Sequence, residues 1–210
     1  MSLQETLQWR FATKSFNGKT IENEKIDQIL EAIRLSPSSS GLQPFKVFVI
    51  TNQELKEKLY PVSWEQKQIL QASHLLVFAA WDEYTPERVN TFFEFSNKER
   101  NLPSSATDDY RLKLLGILDQ RSKDQHFVGA AHQAYLALGF GLLAAAHLKV
   151  DATPLEGFDS EAYDEILHLR EQGLKSTVLM ALGYRDEEND WLVNLKKVRR
   201  SNEELFIELN

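Results

Sequence analysis

The sequence predicts a single domain that mixes helices and strands, and three patterns support this prediction. Residues 22–35 place apolar side chains at the period of an amphipathic helix. The runs 45–50 and 74–81 combine apolar, β-branched and aromatic residues, as buried strands do. Residues 127–146 contain no charged side chain, which indicates a long helix in the core. A chain of 210 residues is within the size range of one domain.

In chain order, helices are predicted over residues 3–10, 22–35, 86–99, 108–121, 127–146 and 160–171. Strands are predicted over 45–50, 74–81 and 177–184, and the tail 204–209 also has strand character. The second helix ends at Ser36 because Pro37 disfavours a helical residue before it. Asn52 has the side chain of an N-cap for the next helix. Residues 64–68 open a further helical turn, and residues 154–159 are predicted to form a loop.

The uncharged run 127–146 has two other interpretations. Its 20 positions are about the length that spans a bilayer. However, its Ala and Gly residues, together with His132, Gln133 and Tyr135, make it only weakly apolar, and no second span exists. Residues 139–144 formally match a dinucleotide-binding fingerprint, yet they follow no strand. We therefore predict a central helix whose small residues let another helix, for example from a second subunit, approach closely.

The composition excludes several classes of function. The net charge of −7 opposes general binding to a nucleic-acid backbone. The absence of cysteine excludes disulfides, thiol redox chemistry and cysteine-based zinc sites. The five histidines have no H-E-x-x-H spacing, and neither a nucleophile elbow nor a Walker-type phosphate loop is present. A strong core without these motifs is typical of a protein whose bound cofactor carries the chemistry. Because residues 1–10 are polar and unlike a signal peptide, we expect a cytoplasmic protein.

The strongest candidate for a binding segment is the 10–16 motif, Arg10-Phe11-Ala12-Thr13-Lys14-Ser15-Phe16. Arg10 and Lys14 are four residues apart, so they can share one face of a helix end. Arginine can hold a phosphate with two hydrogen bonds, and lysine adds a point charge beside a flat ring. The alternative is a solvated helix end, where a cation near the C-terminus is favourable in any case.

Two further segments can contribute to a site. The loop 36–44 is bracketed by prolines and offers hydroxyls and backbone amides to a ligand, although it can equally be a linker between helix and strand. Residues 196–200 contain four cations. Basic clusters are informative here because the chain as a whole is acidic.

Five segments occur in one order along the chain. They are Arg10-x-x-Thr13-Lys14-x-Phe16, Ser36-Pro37-Ser38-Ser39-x-x-x-Gln43-Pro44, Ala72-Ser73-His74 at the start of a strand, Pro154-Leu155-Glu156-Gly157-Phe158, and Lys197-x-Arg199. Each segment alone is a weak signal, but five in register are specific. From about residue 3 to residue 200, the chain resembles the FMN-dependent nitroreductase family, near the oxygen-insensitive NAD(P)H nitroreductases and dihydropteridine reductases.

The resemblance implies an α+β, nitroreductase-like fold in which a mostly antiparallel central sheet is flanked by helices. It implies one FMN-binding domain over residues 1–210 and an intertwined homodimer with the flavin sites at the subunit interface. The C-terminal strand, within about residues 200–210, would extend onto the sheet of the partner subunit. The long helix would pack in the dimer core.

The resemblance also implies roles for individual residues. Arg10, Lys197 and Arg199 would hold the FMN phosphate. Lys14 would lie near the flavin N1 and O2 atoms, where a cation favours the anionic reduced form. The catalytic residues would be Lys14 and, through its backbone amide on the N5 side, Glu156. The implied cofactor-binding residues are Arg10, Phe11, Ala12, Thr13, Lys14, Pro37, Ser38, Ser39, Glu65, Gln68, Gln133, Pro154, Leu155, Glu156, Gly157, Lys197 and Arg199.

Some of these positions depart from the family pattern. Ala12 stands where a small hydroxyl residue is expected, so one phosphate contact would be lost. Glu65 and Gln68 stand where close relatives can have Asn and Lys near the pyrimidine edge of the flavin. If both side chains face the flavin, this exchange disfavours the reduced form.

Two further groups of implied cofactor-binding residues would reach a flavin from other parts of the chain. Pro37, Ser38 and Ser39 would approach the flavin of the other subunit. Gln133 would face the cofactor from the long helix.

The implied activity is a ping-pong reduction. NADH or NADPH would reduce the bound FMN and leave, and a small-molecule acceptor such as a nitroaromatic or a quinone would then take two electrons at a mouth near Leu115 and Phe127. A specialised reductase of a pteridine, an enone or a halogenated aromatic is one alternative. A non-catalytic flavin-binding protein is another. Nucleic acid and membrane are not expected as partners.

Overall fold

The computed structural model describes residues 1–209, with helices on both sides of one β-sheet. The helices are α1 (Leu3–Trp9), α2 (Asn23–Arg34), α3 (Gln53–Leu59), α4 (Gln68–Gln71), α5 (Pro86–Glu99), α6 (Asp108–Asp119), α7 (Lys123–His147), α8 (Ser160–Ile166) and α9 (Asn202–Leu205). The strands are β1 (Phe45–Ile50), β2 (His74–Trp81), β3 (Asp151–Leu155) and β4 (Leu174–Gly183).

The four strands form an antiparallel sheet in the order β1-β2-β4-β3. Every residue of β2 except Trp81 is buried, which explains why its sequence is apolar throughout rather than alternating. In the outer strand β3, Asp151 lies opposite Gly183 of β4. The start of β3 is therefore next to the end of β4, and both lie close to the candidate site.

Helices cover both faces of the sheet. One face packs against α2 and α7, and the other packs against α3, α4 and α8. Gly141 allows α7 to lie close to α2 and to the sheet. A Cβ atom there would be 2.9 Å from Cγ1 of Ile33 and 3.3 Å from the sulfur of Met180.

Most of the predicted elements are confirmed. The strands at 45–50 and 74–81 have the predicted bounds, and the long helix begins slightly earlier, at Lys123. Ser122 caps α7 by accepting a hydrogen bond from the Gln125 amide. Asn52 caps α3 as predicted by accepting a hydrogen bond from the Leu55 amide.

Several boundaries in the second half of the chain differ from the prediction. Pro154 lies in strand β3 rather than in a loop, and an outer strand tolerates a residue without an amide hydrogen. The last strand begins at Leu174, three residues before the predicted start. The helix predicted over 160–171 ends as α8 at Ile166, because His168 has a left-handed φ of 52°.

Two predicted segments are also corrected. The helical turn expected over 64–68 starts only at Gln68, because Trp64 and Glu65 both have a φ of 51°. In the tail, Glu204 lies in α9 rather than in a strand. Residues 206–209 have no sheet partner in this chain. Residue 210, the end of the predicted extension, lies outside the described residues.

Within residues 1–209, α7 is the one helix with the length and composition of a membrane span, and only 28% of its most apolar window is buried. One such helix is weak evidence for a membrane protein, because the core helix of a soluble protein passes the same test. The buried side chains of α7 lie on one face and include Ala130, Ala134, Ala137 and Ala145. On the other face, Val128, Tyr135, Leu136 and Phe140 are exposed.

Candidate functional site

The 10–16 motif lies beside the start of the outer strand β3. Ala12 forms a parallel bridge with Ala152, and Phe16 forms an antiparallel bridge with Arg185. The Phe16 ring is buried against Gly183, where a Cβ atom would lie 2.6 Å from the ring carbon Cδ1. Because Gly183 has no side chain, the motif can lie directly against the end of β4.

The chain after β4 returns along the 10–16 motif in the opposite direction. The amide of Asp186 donates to the Ser15 carbonyl at 2.9 Å. Further on, the buried carboxylate of Asp190 accepts a hydrogen bond from the Lys14 amide at 2.7 Å and another from the Leu192 amide at 2.9 Å. Asp190 therefore fixes the backbone at Lys14 and leaves the lysine side chain out of this contact.

Residues 184–197, hereafter the return segment, bring Lys197 to the C-terminal end of α1. Its ammonium group donates to the carbonyl oxygens of Leu7, at 2.5 Å, Gln8, at 3.2 Å, and Arg10. A cation is favoured here because the last carbonyls of a helix have no partner within the helix. This contact places Lys197 beside Arg10, as the sequence predicts.

Arg10, Lys197 and Arg199 form a cluster of like charges, hereafter the cation cluster. Burial, followed by the charge of Arg199, lowers the pKa of Arg10. Burial, followed by the charges of Arg10 and Arg199, lowers the pKa of Lys197. No ion pair within residues 1–209 includes any of the three. The cluster is therefore suited to an anion with more than one charge.

Thr13 does not present its side chain to a ligand. It is fully buried, and its hydroxyl donates to Oδ1 of Asp151 at 3.4 Å. Asp151 also accepts hydrogen bonds from the Arg185 side chain and backbone. Of the motif residues, Arg10, Phe11, Ala12 and Lys14 are partly exposed.

A second part of the site lies where β3 ends. Pro154 is half-buried and Leu155 is buried. Among the described hydrogen bonds, the Glu156 and Gly157 amides have no acceptor, so both remain available to a ligand. The Gly157 carbonyl accepts from the Gln66 side chain at 2.7 Å.

Trp64 lies directly against Gly157. A Cβ atom at this glycine would be 2.7 Å from the indole ring, so no larger residue fits without a shift of Trp64. Of the two departures expected near the pyrimidine edge, Glu65 is exposed and Gln68 is buried. Trp64 itself, which is 74% exposed, was not among the predicted site residues.

Tyr135 of α7 donates to the carboxylate of Glu156 at 2.5 Å. Burial and this hydrogen bond raise the pKa of Tyr135 to about 12. The tyrosine therefore stays protonated at neutral pH and acts as a donor that ties α7 to the end of β3.

A third group of predicted residues lies together on another part of the chain. The Ser39 amide donates to the Gln133 side chain at 2.8 Å, and the Ser38 hydroxyl accepts from the Gln43 amide at 2.9 Å. Pro37 is exposed beside them. The structure thus brings Ser39 and Gln133 together, and this group shares no described hydrogen bond with the 10–16 motif.

The sequence analysis missed Asp151, Arg185 and Asp190, which hold the 10–16 motif. Asp190 ends the acidic stretch 186–190, and no pattern distinguishes it from its exposed neighbours. Asp151 follows Val150 at the start of the unpredicted strand β3. Among residues 1–209, no group of three His, Asp or Glu side chains is placed to hold a metal ion.

Comparisons with known proteins agree with this architecture. Residues 7–184 match the model of the nitroreductase family. The chain is 31% identical over 200 residues to the oxygen-insensitive NAD(P)H nitroreductase of Salmonella typhimurium, covering 90% of this chain and 91% of the relative. It is 28% identical over 207 residues to the major NAD(P)H-flavin oxidoreductase of Aliivibrio fischeri, covering 95% of each.

A solved structure with the same fold comes from Exiguobacterium sibiricum and contains FMN. It has a TM-score of 0.85 and 18% sequence identity to this chain, and the match covers 100% of this chain and 98% of the other. The predicted α+β fold is thereby confirmed. The chain belongs to the nitroreductase family.

Proposed function

We propose that the protein is an FMN-dependent NAD(P)H oxidoreductase that works as a homodimer. Its acceptors would be nitroaromatics, quinones or similar small molecules. The observation that carries the proposal is the cation cluster. The 10–16 motif connects it to the outer strand β3, and the two residues after that strand leave their amides without an acceptor among the described hydrogen bonds. The FMN-bound structure of the same fold and the NAD(P)H-dependent relatives support the same assignment.

The residues present fit FMN. Its phosphate is a dianion, and the cluster of Arg10, Lys197 and Arg199 has no carboxylate partner in residues 1–209. Burial, followed by repulsion from Arg199, lowers the pKa of Arg10, and burial, followed by repulsion from Arg10 and Arg199, lowers the pKa of Lys197. An anion between them removes this repulsion, so binding of the phosphate is favourable.

When bound, FMN supplies two-electron hydride chemistry at N5 between NAD(P)H and an acceptor. Lys14 would place a positive charge near the pyrimidine edge and stabilise the negative charge that accompanies reduction. The Glu156 and Gly157 amides would donate toward the N5 side. Trp64 would limit access of water there, because its indole covers Gly157. Since donor and acceptor would occupy the same open face in turn, we expect ping-pong kinetics.

The homodimer is supported by the distribution of the site residues and of the apolar surface. Ser39 and Gln133, which are joined by a hydrogen bond of 2.8 Å, would line the flavin of the other subunit. The exposed face of α7 offers Leu136 and Phe140 to a second copy. In the tail, Ile207 is 83% exposed and has no sheet partner in this chain, so it is free to extend onto the partner subunit.

The absorption spectrum of the purified protein tests the proposal directly. We expect flavin bands that bleach on anaerobic addition of NADH or NADPH and return when a nitroaromatic or a quinone is added. A colourless protein that takes up no added FMN would contradict the assignment of the cation cluster. Bound FMN that neither nicotinamide bleaches would instead indicate a non-catalytic flavin-binding protein.

The choice of acceptor needs a separate measurement. Saturation kinetics with a nitroaromatic, a quinone, a pteridine, an enone and a halogenated aromatic would give kcat/KM for each class. A value for one of the last three that far exceeds the others would identify a specialised reductase.

A further inference from the structure

Arg185 lies between two aromatic rings that flank the candidate site. Its guanidinium carbon is 4.4 Å from the centre of the Trp9 ring and 4.5 Å from the centre of the Phe11 ring. Trp9 is the last residue of α1, and Phe11 belongs to the 10–16 motif. A flat guanidinium can stack on two rings at once, whereas an ammonium group cannot. Arg10 therefore lies between two residues that are both held by Arg185.

The same guanidinium is fixed by a buried carboxylate. Nε and Nη2 of Arg185 donate to Oδ1 of Asp151 at 2.9 and 2.6 Å, and the Arg185 amide donates to Oδ2 at 2.9 Å. Asp151 is only 4% exposed and also accepts a hydrogen bond from Thr13. Residues 9–13 are thus attached to the Asp151–Arg185 pair through the rings of Trp9 and Phe11 and the hydroxyl of Thr13.

We propose that Arg185 is a positioning residue for flavin phosphate recognition. Through Asp151, Trp9 and Phe11, it holds the backbone from Trp9 to Thr13 where Arg10 meets Lys197 and Arg199. We assign Arg185 no direct phosphate contact, because the buried carboxylate of Asp151 neutralises its charge at 2.6 Å, whereas no ion pair within residues 1–209 includes a member of the cation cluster. The inference rests on the proposed FMN site, and it predicts a selective effect on the phosphate end of the flavin.

The test compares FMN with riboflavin, which has the same ring and no phosphate. Lysine at position 185 keeps the charge but loses the planar contacts, so Arg10 is no longer held in place. For Arg185→Lys we expect FMN affinity, measured by fluorescence titration of the apoprotein, to fall about tenfold, which is the effect of one charge-assisted hydrogen bond. Riboflavin affinity should stay unchanged. An unchanged ratio of the two affinities in a folded variant would overturn the inference.

Arg88→Lys is a matched control. Arg88 also pairs with a carboxylate, Asp82, at 2.9 Å and lies 5.3 Å from the centre of an aromatic ring, that of Trp81. The exposed fractions of the two arginine side chains are similar, 23% for Arg88 and 17% for Arg185. Arg88→Lys should lose a similar amount of thermal stability as Arg185→Lys but retain the wild-type ratio of FMN affinity to riboflavin affinity. An equal decrease of this affinity ratio in both variants would show a general effect of destabilisation and would contradict the positioning role of Arg185.

A double-mutant cycle separates positioning from an independent effect. If Arg185 acts through Arg10, then Arg185→Lys should change FMN affinity much less in an Arg10→Ala background. A full tenfold loss in that background would count against the proposal. If Arg185→Lys does not fold, Trp9→Leu is the second variant, because it removes one stacking partner and keeps the Asp151 pair. A lower ratio of FMN affinity to riboflavin affinity in Trp9→Leu supports positioning, and an unchanged ratio refutes it. Failure of the wild type to prefer FMN over riboflavin would instead reject the proposed FMN site.

Discussion

The position of Lys14 is set by a buried carboxylate rather than by its own side chain. Asp190 holds the Lys14 amide at 2.7 Å and is itself only 4% exposed. Within the described residues, no ion pair includes Lys14. Because the backbone at Lys14 is already fixed, only its side chain has to be ordered when its charge acts on a ligand.

Lys14→Ala should impair flavin reduction more than flavin binding. We expect the two-electron potential of the bound FMN to fall by about 30 mV, equal to a tenfold change in the reduction equilibrium, because the reduced flavin loses a nearby cation. The reductive half-reaction should slow accordingly, while the phosphate contacts keep FMN bound. Equilibration with a reference dye and stopped-flow mixing with NADH or NADPH measure these effects.

Lys19→Ala is the control, because Lys19 is an exposed cation just beyond the motif. It should leave the potential unchanged. If Lys14→Ala also has the wild-type potential and rate, the role given to Lys14 is wrong.

Lys56 is a buried cation that gives a pH-dependent contribution to stability. Its ammonium group donates to the Ala72 carbonyl at 2.5 Å, and burial lowers its pKa below 10.5. The folded state therefore binds fewer protons than the unfolded state between the lowered pKa and 10.5, so the free energy of unfolding rises with pH in that window. His74 also has a lowered pKa, but it titrates at a lower pH.

Lys56→Met should remove this rise. Its free energy of unfolding relative to wild type should decrease as the pH increases toward 10.5, which urea denaturation at a series of pH values can measure. A difference between the two proteins that stays constant with pH would rule out a buried, partly neutralised Lys56.

At the scale of elements, the packing of α7 depends on small residues. Gly141 lies in close contact with Ile33 of α2 and Met180 of β4. A methyl group at this position has no free space and must displace both neighbours. The small residues of the sequence thus predict close packing, and here the partner is α2 of the same chain.

Gly141→Ala should destabilise the fold by about 1–3 kcal/mol, as expected for added volume in a packed core. Gly116→Ala in α6 is the control, because nothing lies within 4 Å of a Cβ atom there. That change should be neutral or stabilise the protein by up to about 1 kcal/mol through helix propensity. Thermal and urea unfolding distinguish the two outcomes, and equal stability of both variants would disprove the close α2–α7 contact.

Elements with strong periodicity were predictable from the sequence, whereas those set by distant contacts were not. β2 is apolar throughout because it is buried on both faces. β3 is short and contains Pro154, so local signals indicate a loop, and only pairing with β4 makes it a strand. The joint role of Arg10 and Lys197 was implied by the resemblance to the nitroreductase family rather than by a local pattern. Asp151 and Asp190 could not be predicted, since their roles depend on segments more than 30 residues away.

For the whole molecule, the exposed face of α7 predicts a dimer whose integrity is needed for flavin binding. Leu136→Glu places a charge at the centre of this apolar face and should convert dimers to monomers, because an unpaired carboxylate is costly to bury. We expect the FMN content to fall with dimer content in analytical ultracentrifugation with detection at flavin wavelengths.

Leu102→Glu, in the loop between α5 and α6, is the control for an exposed leucine elsewhere and should remain dimeric. A wild-type protein that is monomeric while fully loaded with FMN would exclude the shared site. A Leu136→Glu dimer with normal flavin content would exclude this face as the interface.

The contact from Lys197 to the Arg10 carbonyl joins residues 187 apart in the chain. During translation, a ribosome makes Arg10 before the sheet and the other two members of the cation cluster only after it. A nascent chain that ends before Lys197 can already contain every strand of the sheet, yet it would lack two of the three cations that we propose to hold the flavin phosphate. Under this proposal, flavin binding would be a late event in biosynthesis, and retained flavin would indicate that residues 184–197 have packed against the finished fold.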